Sequence, residues 1–122
     1  MIAAVAAAGA VVAAAGAFVA WRPRRVVVHG ASMEPALAEG DRLLVVRSRR
    51  IAPGDVVALR DPRRPSRLLV KRVTSVAGDE VVVHGDNLPA STDSRSFGPV
   101  PRRAVVGRVV RRYGRGPVLS PG

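Results

Sequence analysis

Short runs of β-branched residues, separated by turn-forming residues, occupy most of the chain from residue 26 onward. Val, Ile and Thr favour extended backbone, while Gly, Pro and Asp favour the turns between strands. The pattern predicts six strands, at residues 26–29, 41–47, 54–60, 67–76, 80–85 and 103–113. Strands this short and this closely spaced favour a mostly β fold: a small antiparallel β domain, folded as a partly open barrel.

Residues 2–20 form a run of 19 apolar or small residues without a charge. As a helix this run would be about 28 Å long, close to the ~30 Å hydrocarbon core of a bilayer. We interpret it as one N-terminal transmembrane helix, with Trp21 at the interface. A cleavable signal peptide is the main alternative, although no positive region precedes the run, and a buried Ala-rich helix is the other. This segment is the only helix we expect.

Three parts follow from these patterns. Residues 1–25 are the predicted membrane anchor with its basic flank, residues 26–113 are one compact β domain, and residues 114–122 are a disordered tail. A chain of 122 residues has room for one domain and an accessory segment, not for two full domains.

The amino-acid composition of the chain excludes several kinds of partner and of site. The net charge of +11 points to an anionic neighbour, either lipid headgroups or nucleic acid, and does not choose between them. Aromatic residues make up only 3% of the chain, so it lacks stacking platforms for single strands, and we expect no nucleic-acid partner. The absence of cysteine excludes disulfides, thiolate metal sites and cysteine nucleophiles. Because His29 and His84 are the only histidines, we expect no metal and no other cofactor.

Lys71 is the only lysine among 20 cationic residues; the other nineteen are arginine. A solvated position in such an Arg-rich chain would be expected to carry arginine. Lysine differs from arginine in that it can lose its proton when it is desolvated. Lys71 lies in the Leu- and Val-rich run at 67–76, where burial would lower its pKa and leave a neutral amine. Such an amine can accept a proton from a serine hydroxyl. A solvated strand lysine is the alternative.

Two polar segments could supply that hydroxyl and its partners. Ser32 follows the first predicted strand and precedes a Pro-containing turn, which would expose the side chain in a defined direction. An ordinary turn serine is the alternative. The segment 85–98 carries Ser91 and Asp93, and it either brings a hydroxyl and a carboxylate toward the lysine or forms a polar surface loop with Asx turns.

Four motifs, in this order, resemble the type I signal peptidase family of serine proteases. They are Ser-Met-x-Pro at 32–35, Gly-Asp-Val-Val at 54–57, Lys-Arg at 71–72, and Gly-Asp-Asn…Ser-x-Asp-Ser-Arg-x-Phe-Gly at 85–98. Each motif alone is weak, but four in order make a strong signal. The resemblance covers about residues 26 to 112, and the size is similar to that of the compact bacterial and mitochondrial inner-membrane members. It implies that residues 26–113 are a peptidase domain with a signal-peptidase-like fold.

The resemblance also implies roles for individual residues. Ser32 would be the nucleophile, with its backbone N–H as an oxyanion donor, and Lys71 would be the general base. Ser91 would hydrogen-bond the lysine amine, and Asp93 would form an ion pair with Arg95. The full supporting set would be Ser91, Asp93, Arg72 and Arg95. Substrate-binding contacts, in shallow pockets suited to small residues before the cut, would come from Gly30, Ala31, Met33 and Pro35.

The chain departs from the family pattern at two positions. Gly30 stands where some relatives have a serine that supplies a second oxyanion donor, and Pro89 replaces an acidic residue found in many members. Met33 could equally fill the core or face the membrane or a pocket. A Ser-His-Asp triad using His29 or His84 is disfavoured, because a histidine three residues before Ser32 would point away from it.

The predicted function is a membrane-anchored serine endopeptidase that removes N-terminal signal or leader peptides after small residues. Its partners would be precursor proteins and membrane lipid, and the sequence leaves the oligomeric state open. We expect a protein that crosses the cell membrane once. The resemblance implies that its catalytic domain lies outside the cytoplasm. Arg22, Arg24 and Arg25 argue instead for a cytoplasmic domain, by the positive-inside rule. That cluster favours an alternative, a maturation protease for one cytoplasmic precursor, similar to the nickel-superoxide-dismutase maturation proteases. A non-catalytic, basic, membrane-tethered binding module is the third hypothesis.

Overall fold

The computed structural model describes residues 23–116, so the predicted membrane helix at residues 2–20 and the end of the predicted tail lie outside the described residues. Arg24 and Arg25, assigned to the basic flank of the anchor, instead begin the first strand. Within this part of the chain, no helix combines the length and the apolar character needed to cross a bilayer. The strands are β1 (Arg24–Val27), β2 (Arg42–Val46), β3 (Val56–Asp61), β4 (Arg64–Ala77), β5 (Glu80–His84), β6 (Val100–Pro101) and β7 (Val105–Gly114). The helical pieces are a single turn, α1 (Ser94–Phe97), and two 3-10 turns at Leu88–Ala90 and Arg102–Ala104.

The seven strands form one antiparallel sheet in the order β1-β2-β7-β3-β4-β5-β6. The edge strands β1 and β6 are not paired with each other, so the sheet is open over the described residues. The six predicted runs correspond to β1–β5 and β7, which confirms the mostly antiparallel β class. β7 reaches Gly114, one residue into the segment predicted as tail.

The prediction that the anchor would be the only helix is wrong. The side chain of Asp93 accepts a hydrogen bond from the Arg95 backbone N–H at 3.1 Å and so caps α1 at its first turn. Gly98, with a φ of 80°, ends the helix. These two caps stabilise a single helical turn inside a polar loop. The two-residue strand β6 was also missed, because so short a segment shows no alternating pattern.

The central strand β3 carries apolar side chains on both of its faces, because successive residues of a strand point to opposite sides. Ala58 packs into one core cluster, whose other buried members are Val26, Val28, Met33, Leu43, Val45 and Val70. Val57 and Leu59 pack into a second, with Ile51, Val73, Val81, Val83 and Val100. Lys71 on β4 is paired directly opposite Val57, so the sheet register places the lysine beside the second core.

Candidate active site

Lys71 is buried on β4, with only 3% of its surface exposed. This burial lowers the pKa of the Lys71 amine below its ordinary value, because a charged ammonium is poorly solvated there. The Asp93 carboxylate raises that pKa, while the guanidinium groups of Arg63, Arg67 and Arg95 lower it further. The net direction is downward, toward a neutral amine.

Ser91 connects Lys71 to Asp93. The Lys71 Nζ donates to the Ser91 Oγ at 3.0 Å, and the Ser91 hydroxyl donates to the Asp93 Oδ2 at 2.7 Å. The backbone N–H of Gly85 donates to the Ser91 Oγ at 3.1 Å and to the Asp93 Oδ2 at 3.0 Å. Because the hydroxyl proton is held by the carboxylate, the Ser91 oxygen faces the amine as an acceptor and fixes its direction.

Asp93 is fully buried, with none of its surface exposed. Burial raises the pKa of this carboxyl, but hydrogen bonds from Arg95, Gly85 and Ser91 lower it more, so its pKa lies well below the usual range. The Arg95 side chain donates to the Asp93 Oδ1 at 2.9 Å and to the Oδ2 at 3.1 Å. The same guanidinium donates to the carbonyl oxygens of Leu88 and Ser91 at 2.7 and 3.2 Å. Arg95 therefore joins the carboxylate to the loop that carries Ser91.

The Ser32 segment is fastened to the end of β5. The Asn87 backbone N–H donates to the Ser32 carbonyl oxygen at 2.8 Å, and the Asn87 side-chain amide donates to the Ala31 oxygen at 3.1 Å. Gly85 permits this close approach, since a Cβ there would lie 2.5 Å from the Ser32 carbonyl oxygen and 2.6 Å from the Ser91 Cβ. Sequence reasoning gave Gly85 and Asn87 no roles, although both belong to the Gly-Asp-Asn motif.

Ser32 and Lys71 line one cavity of about 240 Å³. Four small residues form part of its lining, namely Gly30, Ala31, Ala90 and Thr92. Among the described residues the lysine amine hydrogen-bonds Ser91 and not Ser32. The backbone N–H of Ser32 donates to no group in the same part of the chain. The cavity thus contains a hydroxyl, a buried amine and an unused amide donor.

Comparison with known proteins identifies the group to which this arrangement belongs. The family model described as "Signal peptidase, peptidase S26" matches residues 1–88 and 79–113. The chain belongs to the signal peptidase family. Its relatives include the mitochondrial ATP-independent inner membrane protease subunit 1a of Arabidopsis thaliana, 38% identical over 112 residues, a match that covers 70% of this chain and 67% of the relative. They also include the mitochondrial inner membrane protease subunit 1 of Xenopus tropicalis, 35% identical over 111 residues and covering 71% and 66% of the two chains. The corresponding human subunit is 31% identical over 108 residues, covering 69% and 65%.

The chain thus spans about two thirds of the length of the curated relatives it matches. Their names and the family model support a peptidase, and they bear out the resemblance found in the four motifs.

Three residues predicted at this signal peptidase site lie elsewhere. Met33 is fully buried in the first core, so its assignment to substrate binding is wrong and the core interpretation holds. Pro35 is exposed and does not line the cavity, because the chain turns away from it after Ser32. Arg72 points to the opposite side of β4 from Lys71 and forms a two-bonded ion pair with Asp86, at 2.8 and 2.9 Å.

No Ser-His-Asp triad is assembled among the described residues, although His29 lines the same cavity as Ser32. Over residues 23–116, neither His29 nor His84 hydrogen-bonds a serine or a carboxylate, and Asp86 is taken up by Arg72. The same residues contain no group of three or more histidine and carboxylate side chains that could hold a metal ion.

Two arginines at the cavity were missed by sequence reasoning. Arg63 and Arg67 line it on the side of the β3–β4 hairpin. Arg63 is anchored by Asp61, with Nη2 to Oδ2 at 2.9 Å, whereas Arg67 has no carboxylate partner among the described residues. Nothing in a chain of nineteen arginines distinguishes these two before the hairpin is formed.

Proposed function

We propose that this signal peptidase homologue is a serine endopeptidase in which Ser32 is the nucleophile and Lys71 the general base. The observation that carries the proposal is the burial of the only lysine, oriented by Ser91, in the cavity that also contains Ser32. A neutral amine that donates one N–H to Ser91 keeps its lone pair for another donor. The Ser32 hydroxyl, in the same cavity, is the donor that we assign to this lone pair.

The proton balance of the proposed reaction is simple. The Ser32 Oγ bonds to the scissile carbonyl carbon while its proton passes to the Lys71 Nζ. The resulting ammonium then protonates the leaving amine as the peptide bond breaks. In the second half, a water molecule attacks the acyl-enzyme ester, and Lys71 takes the water proton and returns it to the Ser32 oxygen. Lys71 is neutral again after each turnover.

The negative charge that develops on the oxygen of the scissile carbonyl needs a hydrogen-bond donor that is already in position. The Ser32 backbone N–H makes no hydrogen bond within residues 23–116 and is the donor we assign to this role. Such a donor contributes about 3–4 kcal/mol to transition-state stabilisation in related hydrolases. Gly30 offers no hydroxyl as a second donor, so the stabilisation rests on the backbone.

The proposed substrates are N-terminal leader segments with small residues before the cut. Gly30, Ala31 and Ala90 leave a cavity of about 240 Å³ that suits such side chains. The relatives are named as inner membrane proteases, and we propose that the apolar run at residues 2–20 holds this chain at a membrane. The polar groups of the loop around Ser91 are hydrogen-bonded within the domain, so the cavity is left for the substrate.

A maturation protease for one cytoplasmic precursor is the second candidate. The observation in its favour is the cluster of Arg22, Arg24 and Arg25 beside the apolar run, which the positive-inside rule places in the cytoplasm. Addition of an external protease to intact cells separates the two candidates. Digestion of the domain supports leader-peptide removal outside the cytoplasm, and a shielded domain supports the cytoplasmic candidate.

The decisive experiment compares purified full-length variants in detergent, using a peptide with alanine at the first and third positions before the cut. Ser32→Ala and Lys71→Arg should each lower kcat/KM by about 10²–10⁴-fold or more, because each removes one half of the proton transfer. Lys71→Met serves as a second test, since arginine is larger than the buried lysine. Arg64→Lys is the matched control, because Arg64 is exposed on the same strand and outside the cavity.

Circular dichroism verifies that each variant is folded. Near-normal turnover by folded Lys71→Arg contradicts the proposed dyad. A serine-reactive lactam should label Ser32 in the parent chain; the absence of labelling, combined with salt-sensitive DNA binding, would favour a non-catalytic binding module instead.

A further inference from the structure

A second groove, which shares no lining residue with the catalytic cavity, is lined by arginines from four separate parts of the fold. Its volume is about 380 Å³. The lining consists of Arg24, Arg47, Arg60 and Arg103 around an apolar floor of Val45, Val105 and Val106; we call it the arginine groove. None of these seven residues lines the catalytic cavity.

The sheet order explains how four distant positions meet. Arg24 lies on β1, Arg47 directly follows β2, and Arg60 lies on β3. Arg103 belongs to the 3-10 turn that leads into β7. Because β1, β2, β7 and β3 are consecutive in the sheet, the four positions lie next to one another around a single groove. The pairing of Arg24 with Val45, and of Leu59 with Val105, fixes the register of the floor.

The arginines of the groove are not neutralised by neighbouring carboxylates. Four arginines of the fold have a carboxylate within 4 Å, namely Arg63, Arg72, Arg95 and Arg112. Over residues 23–116, no arginine of the groove has such a partner, and all four are exposed. Converging like charges repel one another, and that cost is relieved when an anion binds between them.

We propose that the arginine groove binds a ligand that carries phosphate oxyanions. A guanidinium group donates two parallel hydrogen bonds to a phosphate, which makes arginine the preferred residue for this recognition. The volume is within the ordinary range of small-molecule sites. The valine floor offers contact to a hydrocarbon portion of the ligand, which inorganic phosphate lacks.

The position of Arg24 favours a phospholipid headgroup as the source of that phosphate. The apolar run ends at Ala20, so only three residues separate it from Arg24, and the Cα atoms of Ala20 and Arg24 are at most about 13 Å apart in an extended chain. This choice of source rests on the membrane anchor in the proposed function, whereas the phosphate chemistry of the groove does not. Basic pockets near a membrane surface are known to hold anionic headgroups.

The test uses the full chain in a nonionic detergent and measures binding by native mass spectrometry and by the shift in melting temperature. The probes are short-chain phosphatidylglycerol, short-chain phosphatidylcholine as the zwitterionic comparison, and inorganic pyrophosphate. The groove variant is Arg47→Gln/Arg103→Gln. The matched control is Arg64→Gln/Arg111→Gln, which removes the same charge from two exposed arginines outside both cavities.

We expect phosphatidylglycerol to bind and raise the melting temperature, and the groove variant to bind it about tenfold or more weakly, since two charged donors are lost. The control should stay within about twofold of the parent chain. Binding of pyrophosphate alone, with the same loss in the groove variant, supports the phosphate site and overturns the lipid source. Equal losses in both double variants, or no binding of either anion, overturn the proposal.

Cleavage of the model peptide, measured without anionic lipid, separates this proposal from the catalytic one. The groove variant should keep cleavage within about twofold of the parent chain, because no groove residue touches the catalytic cavity. Ser32→Ala should still bind phosphatidylglycerol. Failure of either proposal therefore leaves a distinct signature in these two assays.

Discussion

The surroundings of Lys71 shift the pKa of its amine in opposite directions. Burial and the guanidinium groups of Arg63, Arg67 and Arg95 lower the pKa of its amine, while the Asp93 carboxylate raises it. The Asp93 charge is largely taken up by Arg95, by the Gly85 N–H and by the Ser91 hydroxyl. The net effect is a lowered pKa, so the pH dependence of the proposed cleavage should be sensitive to charges at the cavity.

Arg67→Gln should move the acid limb of the pH–rate profile to higher pH. The parent kcat/KM should rise as pH increases through the lowered pKa of Lys71, because only the neutral amine acts as a base. Removing the Arg67 charge makes the ammonium form less unfavourable, so the pKa of Lys71 rises and more alkaline conditions are needed. Initial rates of peptide cleavage across a pH series measure this shift.

Arg64→Gln is the control for Arg67→Gln, because it removes an equal charge from the same strand away from the cavity. Its acid limb should coincide with that of the parent chain. A limb that moves to lower pH in Arg67→Gln, or that moves equally in both variants, contradicts the local electrostatic explanation.

At the scale of elements, the loop from β5 to β6 assembles the site. Its beginning is tied to the Ser32 segment by Asn87, and its middle brings Ser91 to Lys71. Its end is the α1 turn, held by the Asp93 cap. One loop thus contacts both halves of the proposed dyad, and Gly85 lies against both the Ser32 carbonyl oxygen and Ser91.

Gly85→Ala should separate Ser32 from Lys71. The new Cβ would lie 2.5 Å from the Ser32 carbonyl oxygen and 2.6 Å from the Ser91 Cβ, so the two segments must move apart. A displacement of about 1 Å costs on the order of 10²-fold in rate, and overpacking costs about 1–3 kcal/mol in stability. Peptide cleavage and urea unfolding measure the two effects separately.

Gly78→Ala is the comparison variant, because Gly78 lies in the β4–β5 turn with a φ of 58° and has free space around it. It should lose stability through backbone strain while its cleavage rate stays near that of the parent chain. If Gly85→Ala cleaves at the rate of Gly78→Ala, the close approach at Gly85 is not needed for activity.

The sequence patterns predicted the long elements and missed those that depend on tertiary contacts. β-branched runs located β1–β5 and β7, because local backbone preference and alternation both favour strands there. The α1 turn depends on caps inside a polar loop, and β6 depends on its pairing with β5. Lys71 was found because it is the only lysine, whereas the cavity positions of Arg63 and Arg67 follow from the hairpin and could not be predicted.

For the whole molecule, three buried aspartates stabilise the loops and turns that join the strands. Asp41 accepts hydrogen bonds from the Ala38 and Gly116 backbone and from Arg112, and it connects the β1–β2 loop to the end of β7. Asp61 holds the β3–β4 hairpin through Arg63. Burial raises the pKa of Asp41 and Asp61, as of Asp93, but hydrogen bonds and ion pairs lower it more, so all three lie below the ordinary 3.8.

The free energy of unfolding should therefore fall in acid. Carboxyl groups whose folded pKa is lowered bind fewer protons than in the unfolded chain, so their stabilisation is complete above about pH 4 and is lost as the pH falls toward their folded values. Urea unfolding followed by circular dichroism between pH 6 and pH 2 measures this loss. The Asp93→Asn variant should have a lower free energy of unfolding than the parent chain at pH 6. Its free energy of unfolding should also fall less than that of the parent chain between pH 6 and pH 2.

Asp79→Asn is the control for that series, since Asp79 lies exposed in the β4–β5 turn and forms no ion pair within the described residues. Its decline should match that of the parent chain. A stability that does not change between pH 6 and pH 2, or equal flattening in the two variants, contradicts the role given to the buried carboxylates.

The central claim, a lysine that loses its proton more readily in the folded protein, is accessible to one direct measurement. Because Lys71 is the only lysine, growth on lysine labelled with ¹³C at Cε gives a single side-chain resonance, which can be followed by NMR as the full chain in detergent is titrated. The account predicts an inflection below the ordinary 10.5 in the folded protein and a return toward it in urea. An inflection at or above the ordinary value in the folded protein, unchanged on unfolding, would contradict it.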